Sequence, residues 1–450
     1  MQKYFWPVLL PILFLAYSLP LFLRVYATAP NVIDEEFHLR QGLHFCNKRF
    51  DVWDPKITTF PGLYLFSLIL IPLNACTELG LRCISLAAAT VNVVTLYKIR
   101  RRLLGSAHGQ LAALDAITLG TLPPLYFFSH LYYTDTLSLT TVLLFYYYWH
   151  KESHLQAAVF GATSVLVRQT NVVWVAMCFA IMALDVMSGN YARVKGIKKQ
   201  QVELLNPKVI WDILTSYRLL GRSIWQILRK GCYYLIIILP FVFFVFLNGS
   251  IVIGDKRAHE ATMHLPQIFY FSLFAAFFGV SNTMHEWQST LRWLSREKLI
   301  VLFLLGVGVL TVKWNTLVHP YLLADNRHYT FYIWNRFYGR YLWFKYAMVP
   351  VYVFALALLH CGLRHMRTSF KLMFWIATLL VLCFQRLLEP RYFIIPFVLY
   401  RLHTQPLAKS RWAEWLELAS YVGINALTFF IFFTKEITWM DFKEPQRIIW

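Results

Sequence analysis

Long apolar runs recur along the whole chain and decide most of what it can become. They cover residues 5–26, 60–75, 83–97, 111–129, 137–149, 156–186, 232–248, 265–281, 299–318, 345–362, 372–384, 391–400 and 418–434. A bilayer crossing needs about 20 apolar residues, and somewhat fewer where flanking side chains snorkel, so most of these runs can span as helices. With 58% hydrophobic, 18% aromatic and only 15% charged residues, and a mean hydropathy of +0.49, the composition is far from globular averages. The expected fold is an all-α polytopic membrane protein. No fixed-period repeat or long low-complexity linker divides it, so residues 1–450 read as one membrane domain. The first run ends at Ala27-Thr28-Ala29, which resembles a signal-peptidase site. A run of roughly 19 apolar residues exceeds a signal-peptide core, and an uncleaved first helix is expected.

The net charge of +20 raises the question of nucleic acid, and its distribution answers it. Lys98, Arg100, Arg101 and Arg102 form one cluster. Between residues 188 and 231, Arg193, Lys195, Lys198, Lys199, Lys208, Arg218, Arg222, Arg229 and Lys230 stand against only Glu203 and Asp212. In loops between membrane helices such an excess marks the cytoplasmic side. No stacking-rich basic module or zinc pattern accompanies it, so no nucleic-acid partner is expected.

Taking 98–110 and 188–231 as cytoplasmic loops places the acidic stretch Asp34-Glu35-Glu36 on the opposite side, in a loop spanning 27–82. Parity then requires an odd number of crossings between Pro61 and Tyr97, where two apolar runs lie. The run from Pro61 to Pro72 is short and bracketed by prolines, so it is expected to dip into the interface while 83–97 crosses. About 13 crossings result, or 14 if that run also spans. On this threading the remaining polar clusters share one face: Trp53 to Gly62, Tyr132 to Asp135, Arg168 to Asn171, Gly254 to His264, His319 to Tyr341 and Leu388 to Tyr392. Polar groups converging on one membrane face suggest a site.

Each cluster has a plain reading beside the functional one. The acidic triplet reads either as solvated loop acids or as carboxylates at the head of an amphipathic surface helix marked by Phe37, Leu39, Leu43 and Phe45, where one could act as a general base. Arg168 interrupts the run 156–186, a costly place for a charge unless it sits at a turn, is paired or is functional. A turn joining two short helices is expected there. His259, Glu260 and His264 approach a zinc motif, but histidines five apart diverge around a helix, and no metal is expected. Aromatic belts account for the Tyr and Trp of the stretch 319–341 but not for Asp325-Asn326-Arg327-His328-Tyr329, whose arginine suits a phosphate and whose histidine suits a sugar. Of seven cysteines only Cys46 lies clearly in a non-cytoplasmic loop, so no disulfide framework is expected. Asn248-Gly249-Ser250 is a glycosylation sequon that abuts a helix end, and it is expected to be unused. No phosphate-binding glycine loop, dinucleotide fingerprint or serine elbow occurs, and no cofactor is expected.

The stretches DEEFHLRQ, WDPKITTFPGLYL, LYFFSHLYYTD, RQTNVVW, NGSIVIGDKRAHEATMHLPQIFYF, HPYLLADNRHYTFYIW and RYFIIPFVLYRL together resemble the dolichyl-phosphate-glucose-dependent alpha-1,2-glucosyltransferase family of the endoplasmic reticulum. The resemblance runs from about residue 30 to Trp450 and is weakest over 188–231. It implies a glycosyltransferase-C fold in the endoplasmic reticulum membrane, with in-plane helices in the first lumenal loop and an active site facing the lumen. It also implies dolichyl-phosphate-glucose as donor, a diglucosylated dolichol-diphosphate-linked oligosaccharide as acceptor, and inversion at the anomeric carbon. Carried onto these residues, it makes Asp34 the first candidate for the base and Glu35 the second, with Glu36 as an additional acid. Arg391, beside Glu389, and Arg327 become candidates for phosphate binding. Arg168 or His328 follow them as phosphate candidates, and Asp135, at the second acidic position of the superfamily, binds acceptor or shapes the site, within a binding set that also takes in Asp325, Asn326 and Tyr329. Two other readings stay open: a transferase for another dolichyl-phosphate sugar, and a transporter or channel-associated protein, which would place charges near the bilayer midplane and show internal repeats.

Overall fold

A computed structural model describes residues 2–29, 31–199, 202–254, 256, 262–406, 411–438 and 445–450. The architecture is all-α apart from a two-stranded antiparallel pair, Glu436–Ile437 with Gln446–Arg447. Among the described residues seven helices are long and apolar enough to cross a bilayer: Phe5–Thr28, Glu78–Leu104, Gln169–Lys195, Tyr217–Asn248, Lys298–Asn315, Leu342–Gly362 and Trp412–Thr434. His154–Val167, Pro266–Phe278 and Thr368–Leu382 are apolar but shorter. We label the N-terminal half α1 (Gln2–Thr28), α2 (Glu35–Cys46), α3 (Gly62–Ser67), α4 (Glu78–Leu104), α5 (Gly109–Gly120), α6 (Pro123–Phe128), α7 (Thr134–His150), α8 (His154–Val167) and α9 (Val172–Lys195).

The apolar runs and the long helices do not correspond one to one, and the local sequence explains why. Run 111–129 divides into α5 and α6 because Pro123 and Pro124 cannot continue a helix but start one well. Run 156–186 breaks where Arg168 adopts an extended backbone, φ −151° and ψ 120°. Only one of the two helices it joins is short, since α8 has 14 residues and α9 has 24. The stretch 188–231, expected as a loop, is largely helical: α9 runs to Lys195, and helices follow over Pro207–Thr215 and Tyr217–Asn248. Its charges hid an apolar spacing, of which Val209, Ile213 and Leu219 form a small core with Tyr191. The Pro61–Pro72 run folds into the six-residue α3 and a short 3-10 turn, Leu68–Leu70. At 1.5 Å per residue α3 rises only about 9 Å, too little to cross.

The centre of the N-terminal half is α4. Thr77 caps it by accepting the Gly80 amide at 3.2 Å, Arg101 and Arg102 complement its dipole in the last turn, and Gly105 ends it at φ +91°. Its 27 residues extend about 40 Å, and α1, α5 and α7 pack along it. Helix α2 lies over its N-terminal end, burying Leu39, Gly42 and Phe45. Gly42 permits this approach: a Cβ there would stand 3.0 Å from both a Leu81 methyl and the Tyr132 ring.

At the end of the bundle that carries Asp34, loops from distant parts of the chain interlock. Gln169 donates to the Thr58 carbonyl, as does the Ile253 amide. The His264 amide donates to Cys383 O, and Gln267 donates to the carbonyls of Gln385 and Leu387. His259 and Glu260 lie outside the described residues. The Asn248 amide of the sequon donates to the Ser250 and Val252 carbonyls, 2.8 Å each. At the opposite end a separate buried network joins Arg100, Asp115, Arg401 and Glu417.

The expectation of no disulfide is corrected here. Cys46, at the end of α2, is bonded to Cys76, just before α4, with Cα atoms 5.9 Å apart. Cys76 directly follows the apolar run 60–75 and lies within the same 27–82 loop as Cys46, so the sequence reading should have paired the two. The bond closes a segment of 30 residues, for which chain-entropy arguments give about 3–4 kcal/mol. The Cys46→Ser, Cys76→Ser double variant should therefore melt at a lower temperature than wild type in detergent. An unchanged melting temperature would mean that the bond contributes nothing to the fold.

Candidate active site

The site is built outward from the first turn of α2. Ile33 holds φ +49°, uncommon for a β-branched residue, and the bend is pinned on both sides. The Tyr133 hydroxyl donates to Val32 O at 2.8 Å and accepts from the Glu35 amide at 3.2 Å. Glu35 is fully buried. Its carboxylate accepts from Arg82 Nε and Nη2 at 2.8 Å each, from the Tyr132 amide at 2.8 Å and from the Val32 amide at 3.4 Å. Four donors match the four lone-pair sites of a carboxylate, so none is open to a reactant. Glu36 turns outward to Arg40, 2.7 Å away.

Asp34, the residue before the helix, has a different environment. Its side chain is 50% exposed, and Oδ2 lies 3.6 Å from Arg391 Nη2. The Arg391 side chain is only 10% exposed. It donates from Nε to Glu389 at 2.8 Å, stands 3.7 Å from Asp135 Oδ2, and lies over the rings of Phe128 and Tyr133 at 5.2 and 5.4 Å. Burial alone would lower its pKa, but Glu389, Asp135 and Asp34 together raise it above the ordinary arginine value, so it is a fixed cation. Asp135 accepts from Arg168 Nη1 at 3.0 Å through Oδ1, and its buried Oδ2 accepts no hydrogen bond from the described residues. Arg168 also donates to Thr134 at 3.2 Å. Five residues expected from sequence, Asp34, Asp135, Arg168, Glu389 and Arg391, thus meet in one cluster drawn from four separate segments of the chain.

His38, one turn along α2 from Asp34, joins them. Its Nδ1 is 2.7 Å from the Tyr64 hydroxyl, and its ring packs edge-on against Tyr133 at 5.5 Å. Burial lowers its pKa to about 4, outweighing the raising effect of Asp34, so the ring is neutral at pH 7. Sequence reasoning missed both His38 and Arg82. The four-residue spacing from Asp34 was a usable signal for His38. Arg82 stood at the head of an apolar run and looked like a flanking charge.

The stretch Asp325 to Tyr329 forms a second group. Arg327 donates to Asp325 from Nε and Nη2 at 2.8 Å each, and this pairing holds the Asp325 carboxyl below its ordinary pKa despite its burial. The backbone of the segment binds the chain end: Ile449 donates to Arg327 O at 2.7 Å and Tyr329 donates to Ile449 O at 3.2 Å. His328 Nδ1 lies 3.3 Å from Trp450 O, and the Tyr329 ring lies 5.1 Å from the Trp450 ring. The side-chain oxygen of Asn326 is buried and has no hydrogen-bond donor among the described residues. Among the described residues, no three His, Cys, Asp or Glu side chains are grouped as a metal would require.

Two measurements separate the roles. Removing one partner of a buried pair costs about 3–5 kcal/mol because the other charge is left stranded, so Arg82→Met should lower the melting temperature sharply while Asp34→Asn should not. Equal losses would deny the distinction. His38 is neutral in the folded state down to about pH 4, while the unfolded chain protonates it near 6.5. Its contribution to stability is therefore complete above pH 6.5 and declines as the pH falls toward 4. A His38→Gln variant should show a shallower loss of melting temperature across that window; parallel curves would count against it.

The chain as a whole is similar to known proteins. The profile of the DIE2/ALG10 family matches residues 28–402. A protein of Drosophila melanogaster named Dol-P-Glc:Glc(2)Man(9)GlcNAc(2)-PP-Dol alpha-1,2-glucosyltransferase is 57% identical over 446 residues, 99% of each chain. Proteins of the same name from Rattus norvegicus, 35% identical over 93% of each chain, and Arabidopsis thaliana, 32% identical over 93% of this chain and 94% of its own, are similar as well. No solved structure gives a significant match. A family profile over most of the chain and a relative 57% identical over 99% of each chain lead to one conclusion: this chain belongs to the DIE2/ALG10 family.

Proposed function

We propose that this protein transfers glucose from dolichyl-phosphate-glucose to a diglucosylated, dolichol-diphosphate-linked oligosaccharide, making the terminal alpha-1,2 bond with inversion. The relatives' names state that donor, acceptor and linkage. The observation that carries the reading is the half-exposed Asp34 carboxylate 3.6 Å from the buried Arg391 guanidinium. An inverting transfer needs this pair: a base for the acceptor hydroxyl, and a cation for the departing phosphate.

In the proposed step Asp34 takes the proton as the acceptor oxygen bonds to the anomeric carbon. The bond from that carbon to the phosphate oxygen breaks, and its electrons leave with dolichyl phosphate. Arg391 and Arg168 hold the phosphate, and Asp135 Oδ2, paired with Arg391 but without a hydrogen-bond donor among the described residues, accepts a sugar hydroxyl. Phe128 and Tyr133 shield the charges from water. Glu35 is a positioning residue, and Glu389 orients Arg391. Asp325, Asn326, Arg327, His328 and Tyr329 form a second wall of the substrate chamber, with Arg327 and His328 as its polar contacts. The leaving group is already a phosphate monoester, so the scheme requires no metal. The fold is assigned to the glycosyltransferase-C type, with α2 and α3 in the membrane plane, the polar end in the lumen of the endoplasmic reticulum and the 188–231 stretch in the cytoplasm.

The test is transfer of labelled glucose from dolichyl-phosphate-glucose to a synthetic diglucosylated lipid-linked acceptor. Asp34→Asn should lower kcat by about 10²–10⁴-fold with donor binding retained. Arg391→Lys, which keeps charge but loses the planar fork, should also lower turnover. An Asp34→Asn variant within tenfold of wild type would remove Asp34 as base. A folded wild type that transfers no glucose to this acceptor would overturn the assignment.

A further inference from the structure

Helix α2 carries Asp34 at its head and, along the same flank, one wall of a cavity of about 420 Å³. Phe37, Arg40 and Gln41 line it from the helix, and Trp53, Asp54 and Lys56 line it from the following loop. The loop is fastened to the helix by one buried side chain. Gln41 Nε2 donates to Val52 O at 2.7 Å, and Gln41 Oε1 accepts the Asp54 amide at 3.0 Å. The cavity is therefore preformed rather than a gap between mobile parts. Its polar groups alternate in kind around an aromatic surface. The Lys56 ammonium sits 4.5 Å from the centre of the Phe37 ring, the Arg40 guanidinium 5.9 Å from it, and Asp54 Oδ2 3.8 Å from Arg40 Nη1. Trp53 packs its ring against Phe45 and Tyr64 beneath.

Several ligand classes can be compared. A phosphate would meet Asp54 and, through Arg40, Glu36, and both acids already pair with Arg40. A polyprenyl tail gains nothing from a rim of Arg, Lys and Asp. A neutral polyhydroxyl ring uses every feature, with donors and an acceptor for its hydroxyls and aromatic faces for its C–H surface. Position narrows the class further. Asp34, Phe37 and Gln41 share one side of the helix, and at 1.5 Å per residue the cavity begins about 5 Å beyond Asp34 and, with His44 as its farthest lining residue on the helix, runs on to about 15 Å. A sugar joined to the one that reacts would reach this far.

We infer that this cavity is an acceptor subsite, binding hexose units of the lipid-linked oligosaccharide that lie inboard of the glucose whose hydroxyl reacts. The inference rests on the proposed function but concerns residues to which that reading gives no part. The subsite holds the glycan branch while Asp34 addresses its end. It supplies affinity for a long acceptor that a truncated one cannot use.

The experiment compares two synthetic acceptors in the full-length protein, the complete lipid-linked oligosaccharide and a truncated lipid-linked chain retaining only the terminal glucose units. The expected wild-type preference in kcat/KM is about tenfold for the complete acceptor. In Arg40→Ala, Lys56→Ala that preference should collapse toward unity, through KM for the complete acceptor, with KM for dolichyl-phosphate-glucose unmoved. Phe37→Leu, which keeps bulk but removes the ring, should give the same collapse and shows whether the aromatic face matters. A preserved preference in both variants overturns the inference, as does a rise in donor KM, which would make the cavity a donor site. A fall in kcat for both acceptors alike would also overturn it, assigning these side chains to support of the loop. Failure of wild type to glucosylate either acceptor is a different result, and it would defeat the proposed function itself.

Discussion

The buried Glu35–Arg82 pair is the constraint on which the polar end of the bundle depends. Neither side chain has more than 2% of its surface exposed, and the two meet through both carboxylate oxygens. Such a pair contributes little net stability, because desolvation offsets its attraction, but a partner that shifts leaves a stranded charge. That asymmetry fixes geometry. Arg82 belongs to α4, Glu35 to α2, and the third donor, the Tyr132 amide, to the turn before α7. One carboxylate therefore sets the register of three segments. Successive helical residues diverge by about 100°, so burying Glu35 obliges Asp34 to emerge beside Arg391.

The general form of this site was legible in the sequence, because polar residues in a greasy chain need a reason. Asp34, Asp135, Arg168, Glu389 and Arg391 could be singled out as costly in a membrane, and topology placed them on one face. The break at Arg168 was legible for the same reason. Division of labour within Asp34-Glu35-Glu36 was not. Adjacent acids look alike in sequence, while the structure sends one to a buried arginine, one to a surface arginine and one to the cluster. Arg82 was obscured by its place at a helix head, where charges usually only flank. The local bonding of Asp325 to Tyr329 was not legible either: its strongest hydrogen bonds run between Arg327 and Asp325 and to the backbone of Ile449. Cys76, by contrast, was legible, in the same 27–82 loop as Cys46.

The cluster's electrostatics bear on how a phosphate could leave from it. Three carboxylates surround two guanidiniums, so before any substrate arrives the balance is slightly negative. Glu389 is hydrogen-bonded to Arg391, whereas Asp34 and Asp135 sit at 3.6 and 3.7 Å, beyond hydrogen-bonding distance. Arg391 is thus held in place by one acid and merely attracted by the other two. In the proposed reaction Asp34 acquires a proton in the same step that places a second negative charge on the phosphate. Its attraction for Arg391 disappears as that of the phosphate grows, a change that solvent screens only in part, because Asp34 is half-exposed while the guanidinium is buried. The proton transfer and the departure of the leaving group then reinforce each other through one guanidinium. Arginine suits that task better than lysine, since its fork can keep Glu389 on one edge while the other edge turns from carboxylate to phosphate.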